Sequence, residues 1–252
     1  MNLFVEAIAW LFSPERLEGD GAITVRVAEH LFFTSISVLI AAAIAIPVGY
    51  LIGHTGKGRE IAVGISGAAR ALPSFGLILA LVLIIGVLHV QTAVFVAFVV
   101  LAIPSILAGA YSGLEAIDRR IVDAARAVGM TEWQILWKVE VPLGLPLLIG
   151  GLRNAALQVV ATVVLAAYVG LGGLGFPIFQ GLELRRFDQM LGAAILIVAL
   201  ALLIDALFAT VQHFVVPRGV VDTSRPGPGT DVRSKPFRRR AVMGTPIEEG
   251  ER

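Results

Sequence analysis

Cysteine is absent from this 252-residue chain, which excludes disulfides and thiolate metal sites. Charge is scarce: 15% of residues are Asp, Glu, Lys or Arg, against 57% hydrophobic. The mean hydropathy is +0.85, and the apolar residues come in long blocks, a pattern that excludes an ordinary water-soluble domain and points to a membrane protein. No G-x4-G-K-[ST] loop occurs, so ATP hydrolysis is expected to belong to another subunit. His30, His54, His89 and His213 are scattered at the ends of apolar blocks without ligand spacing, so no metal site is expected. No cluster of His, Asp, Glu or Ser recurs on facing blocks, which argues against a membrane enzyme. Near the start, Glu6 is present and a basic n-region and small-residue cleavage site are not, so a cleaved signal peptide is not expected.

What is present are five blocks long enough to cross a bilayer at about 20 residues each. They run His30 to Ile52, Ile61 to Val87 with Pro73 inside, Thr92 to Leu114 with Pro104 inside, Leu145 to Val169, and Met190 to Val215. The expected fold is an all-α polytopic membrane protein of about five transmembrane helices. Residues 1–29 read as an extracytoplasmic segment in which Leu3 to Phe12 form an interfacial amphipathic helix anchored by Trp10. Residues 30–217 form the membrane domain. Residues 218–252 are a cytoplasmic tail, polar and rich in Pro, Gly and Arg, expected to be disordered from Asp222 on.

Charge sets an expected orientation. Placing the 53–60 loop, the 115–142 loop and the C-terminus on one side gathers sixteen of the twenty Lys and Arg residues there, leaving Arg16, Arg26, Arg185 and Arg186 opposite. Without the tail the ratio is still nine to four. The positive-inside rule then puts the 115–142 loop and the C-terminus in the cytoplasm and the N-terminus outside.

That loop is the most informative segment. Asp118 suits a helix N-cap, and Gly129 stands where a left-handed terminator is wanted after Val128. Thr131 and Gln134 form a T-x-x-Q capping box opening a second short helix. Pro142 marks the start of the next span. Ala124 and Ala125 leave one face small enough for another protein to approach. Asp123-Ala124-Ala125, Gly129 after three residues, and Val139-x-Val141-Pro142 after nine more resemble the EAA loop of ABC importer permeases, with Asp for Glu and Val for Ile and Leu. The resemblance implies that the loop docks onto an ATPase subunit and passes its motion to the membrane helices.

More of the chain is similar to the permeases of glycine betaine/carnitine/choline ABC importers. The segments are His30-Leu-Phe-Phe-Thr34-Ser35, Pro47-Val-Gly49, Leu72-Pro-Ser74, Val141-Pro-Leu-Gly-Leu-Pro146, Gly150-Gly-Leu-Arg153, Gly170-Leu-Gly-Gly-Leu-Gly175, Gly192-Ala-Ala-Ile195 and Val216-Pro-Arg-Gly219. The resemblance implies two ATPase subunits that bind ATP and Mg, a second permease copy or paralogue, an extracytoplasmic substrate-binding protein and a surrounding lipid membrane. It implies no nucleic-acid partner and no cofactor in this chain. Ala108-Gly109-Ala110 replaces a Thr-Asn-Thr-like polar patch of that family, so cargo or pairing could differ if those groups line the pathway.

Pathway or gate candidates are Ser74, the i, i+4, i+8 stripe Asn154, Gln158 and Thr162, Tyr168, and Gly170, Gly172, Gly173 and Gly175 at the outer end of the fourth span. Interhelical packing is the competing use of these residues. Tyr168 could meet a quaternary ammonium by cation–π attraction or anchor the interface. Arg153 and Asp205 are intramembrane charges at matching depth; either they pair or share a network, or Arg153 snorkels to the headgroups while Asp205 meets backbone donors or solvent. The alternatives are a methionine-type or other small-nutrient importer permease, and an ion-coupled secondary transporter, which predicts paired broken helices and several intramembrane carboxylates; only Asp205 qualifies.

Overall fold

The computed structural model describes residues 2–19 and 21–215; the Val216–Gly219 motif, Arg218 and the expected tail lie outside the described residues. The described chain is helical without a strand. Helix α1 (Leu3–Leu11) opens with the Asn2 side chain accepting from Phe4 N–H at 3.2 Å. Its Trp10 is buried and packs with Leu11 against Ala193 of α10 (Phe187–Val215). Trp10 is therefore a helix–helix contact rather than the expected interface anchor. The physical reason is Gly192, whose missing side chain leaves a slot: a Cβ there would stand 2.6 Å from the indole ring.

Helix α2 (Ile23–Thr55) has 33 residues, about 50 Å at 1.5 Å per residue. It begins well before His30, so the expected boundary between 1–29 and 30–217 falls inside a helix and moves to Ala22–Ile23. The Arg26–Glu29 pair, 3.0 Å apart on adjacent turns, lets two charges enter this helix together.

The second block is not a single helix. It divides into α3 (Arg59–Ala71) and α4 (Ser74–Ile85), bent by 92°. Pro73 is the cause: it excludes helical geometry at Leu72, which is extended at ψ 129°. Helix α5 (Val90–Glu115) contains Pro104 without breaking. The loop forms α6 (Arg119–Ala127) and α7 (Glu132–Ile135), followed by a π turn, Leu136–Glu140, and α8 (Val141–Val163). Helical structure is continuous from Glu132 to Val169, so Pro142 does not separate hairpin from span. It sits in the first turn of α8, where a missing N–H is best tolerated, and the preceding π turn takes up the irregularity. A 3₁₀ turn, Val164–Val169, ends α8, and α9 (Gly175–Leu184), not anticipated from the sequence, precedes α10. Among the described residues four helices are long and apolar enough to cross a membrane, or five if the bent α3–α4 pair counts as one.

The centre of the bundle is α5, which packs most extensively on α8 and on α2. Glycines allow this. A Cβ on Gly53 would meet the Tyr111 carbonyl at 2.9 Å, one on Gly113 the Gly144 carbonyl at 2.6 Å, and one on Gly109 the Leu147 carbonyl at 2.7 Å. The Ala108–Ala110 patch is thus a packing surface: Gly109 faces α8 and Ala110 faces Gly49 of α2. Helix α10 packs on α8, α9 and α1 and leaves Leu202, Leu203, Leu207 and Phe214 exposed, which suits lipid rather than water.

Candidate functional site

The hairpin of α6 and α7 is built from its own residues. Asp118 accepts from Arg120 N–H at 2.9 Å. Gly129 has φ +85°, a left-handed turn that lets Met130 N–H reach the Ala125 carbonyl at 3.2 Å. Thr131 and Gln134 complete the reciprocal capping box. Val122, Ala125 and Ile135 form a small buried core, with Ile117, Met130 and Val139 packed on it. Arg126 closes the turn, donating to both oxygens of Glu132 at 2.7 and 3.0 Å and to Asp123 at 3.2 Å. The hydrogen bond to Glu132, with Asp123 adding, holds the Arg126 pKa above the ordinary guanidinium value. These contacts make the hairpin one stiff body.

Its composition differs from the expectation at one position. Ala125 is buried in the hairpin's own core, while Ala124 is exposed. Beside Ala124, Ile121, Val128 and Trp133 are exposed, with Val128 at 78% and Trp133 at 69%. Ile121, Ala124 and Val128 lie on one helical face by their i, i+3, i+7 spacing. The hairpin, otherwise charged, thus carries one uncovered apolar face. Val141 packs on the main bundle core, joining hairpin to membrane helices.

The hairpin is also held by α2, through residues that sequence reasoning passed over. His54 Nδ1 lies 2.5 Å from Glu140 Oε2, and His54 Nε2 lies 3.5 Å from Glu132 Oε2. Glu140 is only 2% exposed. A lone carboxylate two residues before Pro142 in an apolar run was the available signal, since a buried acid requires a partner. His54 was weighed only as a metal ligand, and its partner lies 86 positions away.

At the opposite end of α2, Glu29 Oε2 accepts from Gly173 N–H at 2.7 Å. His30, fully buried, accepts at Nδ1 from Leu174 N–H at 3.3 Å and donates at Nε2 to the Val160 carbonyl at 3.0 Å. The glycine run is therefore clamped rather than loose. Gly170 and Gly173 have φ +86° and +82°, a Cβ on Gly172 would overlap the Glu29 carboxylate, and one on Gly175 would overlap the Val164 carbonyl.

The remaining candidates divide. Tyr168, 57% exposed, stands between Phe75 and Phe179, with ring centroids at 4.9 and 5.6 Å. Ser74 adjoins this trio as the first residue of α4 and is half-buried. Asn154 is exposed and Gln158 half-buried on α8. Thr162 does not extend their stripe: it is buried and its hydroxyl donates to the Gln158 carbonyl at 2.8 Å. Arg153 grips Asp205 through two bonds, Nε to Oδ1 and Nη2 to Oδ2, both 2.6 Å. This bidentate geometry joins α8 to α10 and cancels both charges.

A family described as binding-protein-dependent transport system inner membrane component matches residues 45–219. The chain is 30% identical over 210 residues to the carnitine transport permease protein OpuCB of Listeria monocytogenes, covering 83% of this chain and 95% of that one. It is 31% identical over 214 residues to the osmoprotectant import permease protein OsmW of Salmonella typhimurium, covering 81% and 96%. A solved structure of the MetNI methionine ABC transporter in an inward-facing conformation superposes with a TM-score of 0.67 at 25% identity, covering 77% of this chain and 96% of that chain. With more than half its length matched by that family and near-complete coverage of such relatives, this chain belongs to the binding-protein-dependent transport system inner membrane components, the permeases of ABC importers.

Proposed function

We propose that this chain is the permease subunit of an ATP-driven importer of quaternary-ammonium osmoprotectants such as carnitine, glycine betaine or choline. The observation that carries the coupling half of this reading is the stiff hairpin with one apolar face, Ile121, Ala124, Val128 and Trp133. Such a face is the docking surface for an ATPase subunit, and Asp123, Ala124, Ala125, Gly129, Val139, Val141 and Pro142 shape it and join it to α8. Two ATPase subunits bind ATP and Mg beneath two permeases, the second a copy or a paralogue. An extracytoplasmic binding protein delivers cargo. The hairpin and C-terminus face the cytoplasm and the N-terminus faces outward, as the Lys and Arg distribution favours. Residues 1–22 lie on the outer side, 23–217 carry the pathway, and 218–252 form the cytoplasmic tail.

The cargo class is supported by the relatives' names and by the Phe75–Tyr168–Phe179 trio. A face of an exposed aromatic ring attracts a quaternary ammonium with about 0.5–2 kcal/mol. Ser74, Asn154, Gln158, Gly170, Gly172, Gly173 and Gly175 belong to the pathway and its outer gate. Thr162 supports the stripe through its own helix.

The test is uptake of radiolabelled glycine betaine, carnitine, choline and methionine by proteoliposomes holding the complete complex. Trp133→Asp is expected to abolish co-purification of the ATPase, and methionine is expected not to be moved. Uptake of methionine alone, or full ATPase retention by the Trp133→Asp protein, would refute the proposal.

A further inference from the structure

Helix α2 is gripped at both ends by the two regions that an importer must keep in step. Near its C-terminal end, His54 bridges two carboxylates of the hairpin region, Glu140 at 2.5 Å and Glu132 at 3.5 Å. Near its N-terminal end, Glu29 and His30 hold the backbone N–H groups of Gly173 and Leu174 at 2.7 and 3.3 Å. The two clamps are about 36 Å apart along the helix at 1.5 Å per residue, enough to cross the roughly 30 Å hydrocarbon core of a bilayer.

The chemistry at each end favours force transmission over simple packing. Glu140 is 2% exposed, and His54 is the partner within reach of its carboxylate. Glu132 is locked to Arg126, so the imidazole touches the stiff part of the hairpin as well as the π turn. At the other end the donors are main-chain N–H groups of a segment with two left-handed glycines, so a shift of Glu29 moves backbone rather than a free side chain. Between the clamps α2 is held against α5 by Gly49 and Gly53, which keep backbone against backbone. Pro47 lies between the clamps, yet α2 runs unbroken from Ile23 to Thr55, and its close packing on α5 couples the two halves.

We propose that α2 is a transmission rod: His54 takes up movement of the ATPase-docking hairpin, and Glu29 with His30 delivers it to the Gly170–Gly175 gate. This rests on the permease reading above and adds a route and its positioning residues. Such a route is established by energetic coupling between its ends, not by proximity.

The experiment uses the reconstituted complex with its ATPase and binding protein, measuring cargo uptake and ATP hydrolysis together. His54→Ala is expected to lower the cargo moved per ATP by about tenfold, in the usual range for coupling between sites, with hydrolysis at the wild-type rate. Glu29→Gln lowers the ratio similarly, and the double variant lowers it no further, because each change breaks one rod. A second arm uses the conservative variant: His54→Gln, which keeps one hydrogen bond to Glu140, is expected to retain part of the ratio that His54→Ala loses. Multiplying losses in the double variant, uptake and hydrolysis falling in parallel, or equal losses for His54→Gln and His54→Ala overturns the rod while leaving the permease reading intact. Absence of ATP-dependent uptake in the wild-type complex overturns both.

Discussion

Neighbouring glycines on α8 give a matched pair of perturbations. A Cβ on Gly151 would stand 2.7 Å from the Ser105 carbonyl and 3.0 Å from the Gly109 Cα, both backbone atoms of α5, whereas a Cβ on Gly150 meets nothing within 4 Å. Gly150→Ala and Gly151→Ala share the same helix and the same gain of about 1 kcal/mol in helix propensity. Their difference therefore isolates the steric term. Ordinary contact lies near 3.4 Å, so Gly151→Ala must open the α5–α8 seam by roughly 0.7 Å, and no rotamer relieves it because the clashing atoms are main chain. Overpacking of this kind costs about 1–3 kcal/mol. At about 2–4 °C per kcal/mol for a chain of this size, Gly151→Ala should melt on the order of 5 °C below Gly150→Ala. The assay is thermal unfolding of the detergent-purified permease. Equal melting temperatures would refute the close-approach argument for the α5–α8 seam.

Three further outcomes can be checked. Asp205→Asn and Arg153→Gln should each reduce folded yield in the membrane, while the pair should lose less than the two added together; strictly additive losses would show the bidentate contact to be energetically idle. Gly129→Ala places a side chain at φ +85° in open space, so it should destabilise the hairpin by about 1–2 kcal/mol and weaken ATPase capture. Gly129→Asn, which tolerates that conformation, should lose less, and capture equal for Ala and Asn would refute a conformational cause. Thr131→Ala removes one arm of the capping box and should cost about 1 kcal/mol, read as faster hydrogen exchange at Glu132 to Gln134; unchanged exchange would argue against the cap.

Local signals were legible wherever one stretch of chain determines its own geometry. The hairpin could be read from Asp118, Gly129, Thr131 and Gln134 because caps and left-handed turns are set by residues within a few positions of one another. The apolar blocks marked the spans for the same reason, and Arg153 with Asp205 stood out because unpaired charge in such blocks is costly. The 92° break at Leu72–Pro73 was less legible: Pro104 and Pro73 look alike in sequence, and only the surrounding packing keeps the helix whole at Pro104. The burial of Trp10 depended on a slot at Gly192, far along the chain. Ala125 could not be told from Ala124, since which of two adjacent alanines faces inward depends on where Ile135 arrives.

The amino-acid order alone therefore established an all-α membrane chain, a stiff polar hairpin between spans and the family that such a hairpin marks, because hydropathy, capping and turn chemistry act over short distances. Only the tertiary structure decided that His54 meets Glu140, that Glu29 and His30 hold Gly173 and Leu174, and that Gly109 lies against Gly151. Those contacts join residues dozens of positions apart, and their existence depends on how whole helices pack rather than on anything written near either partner.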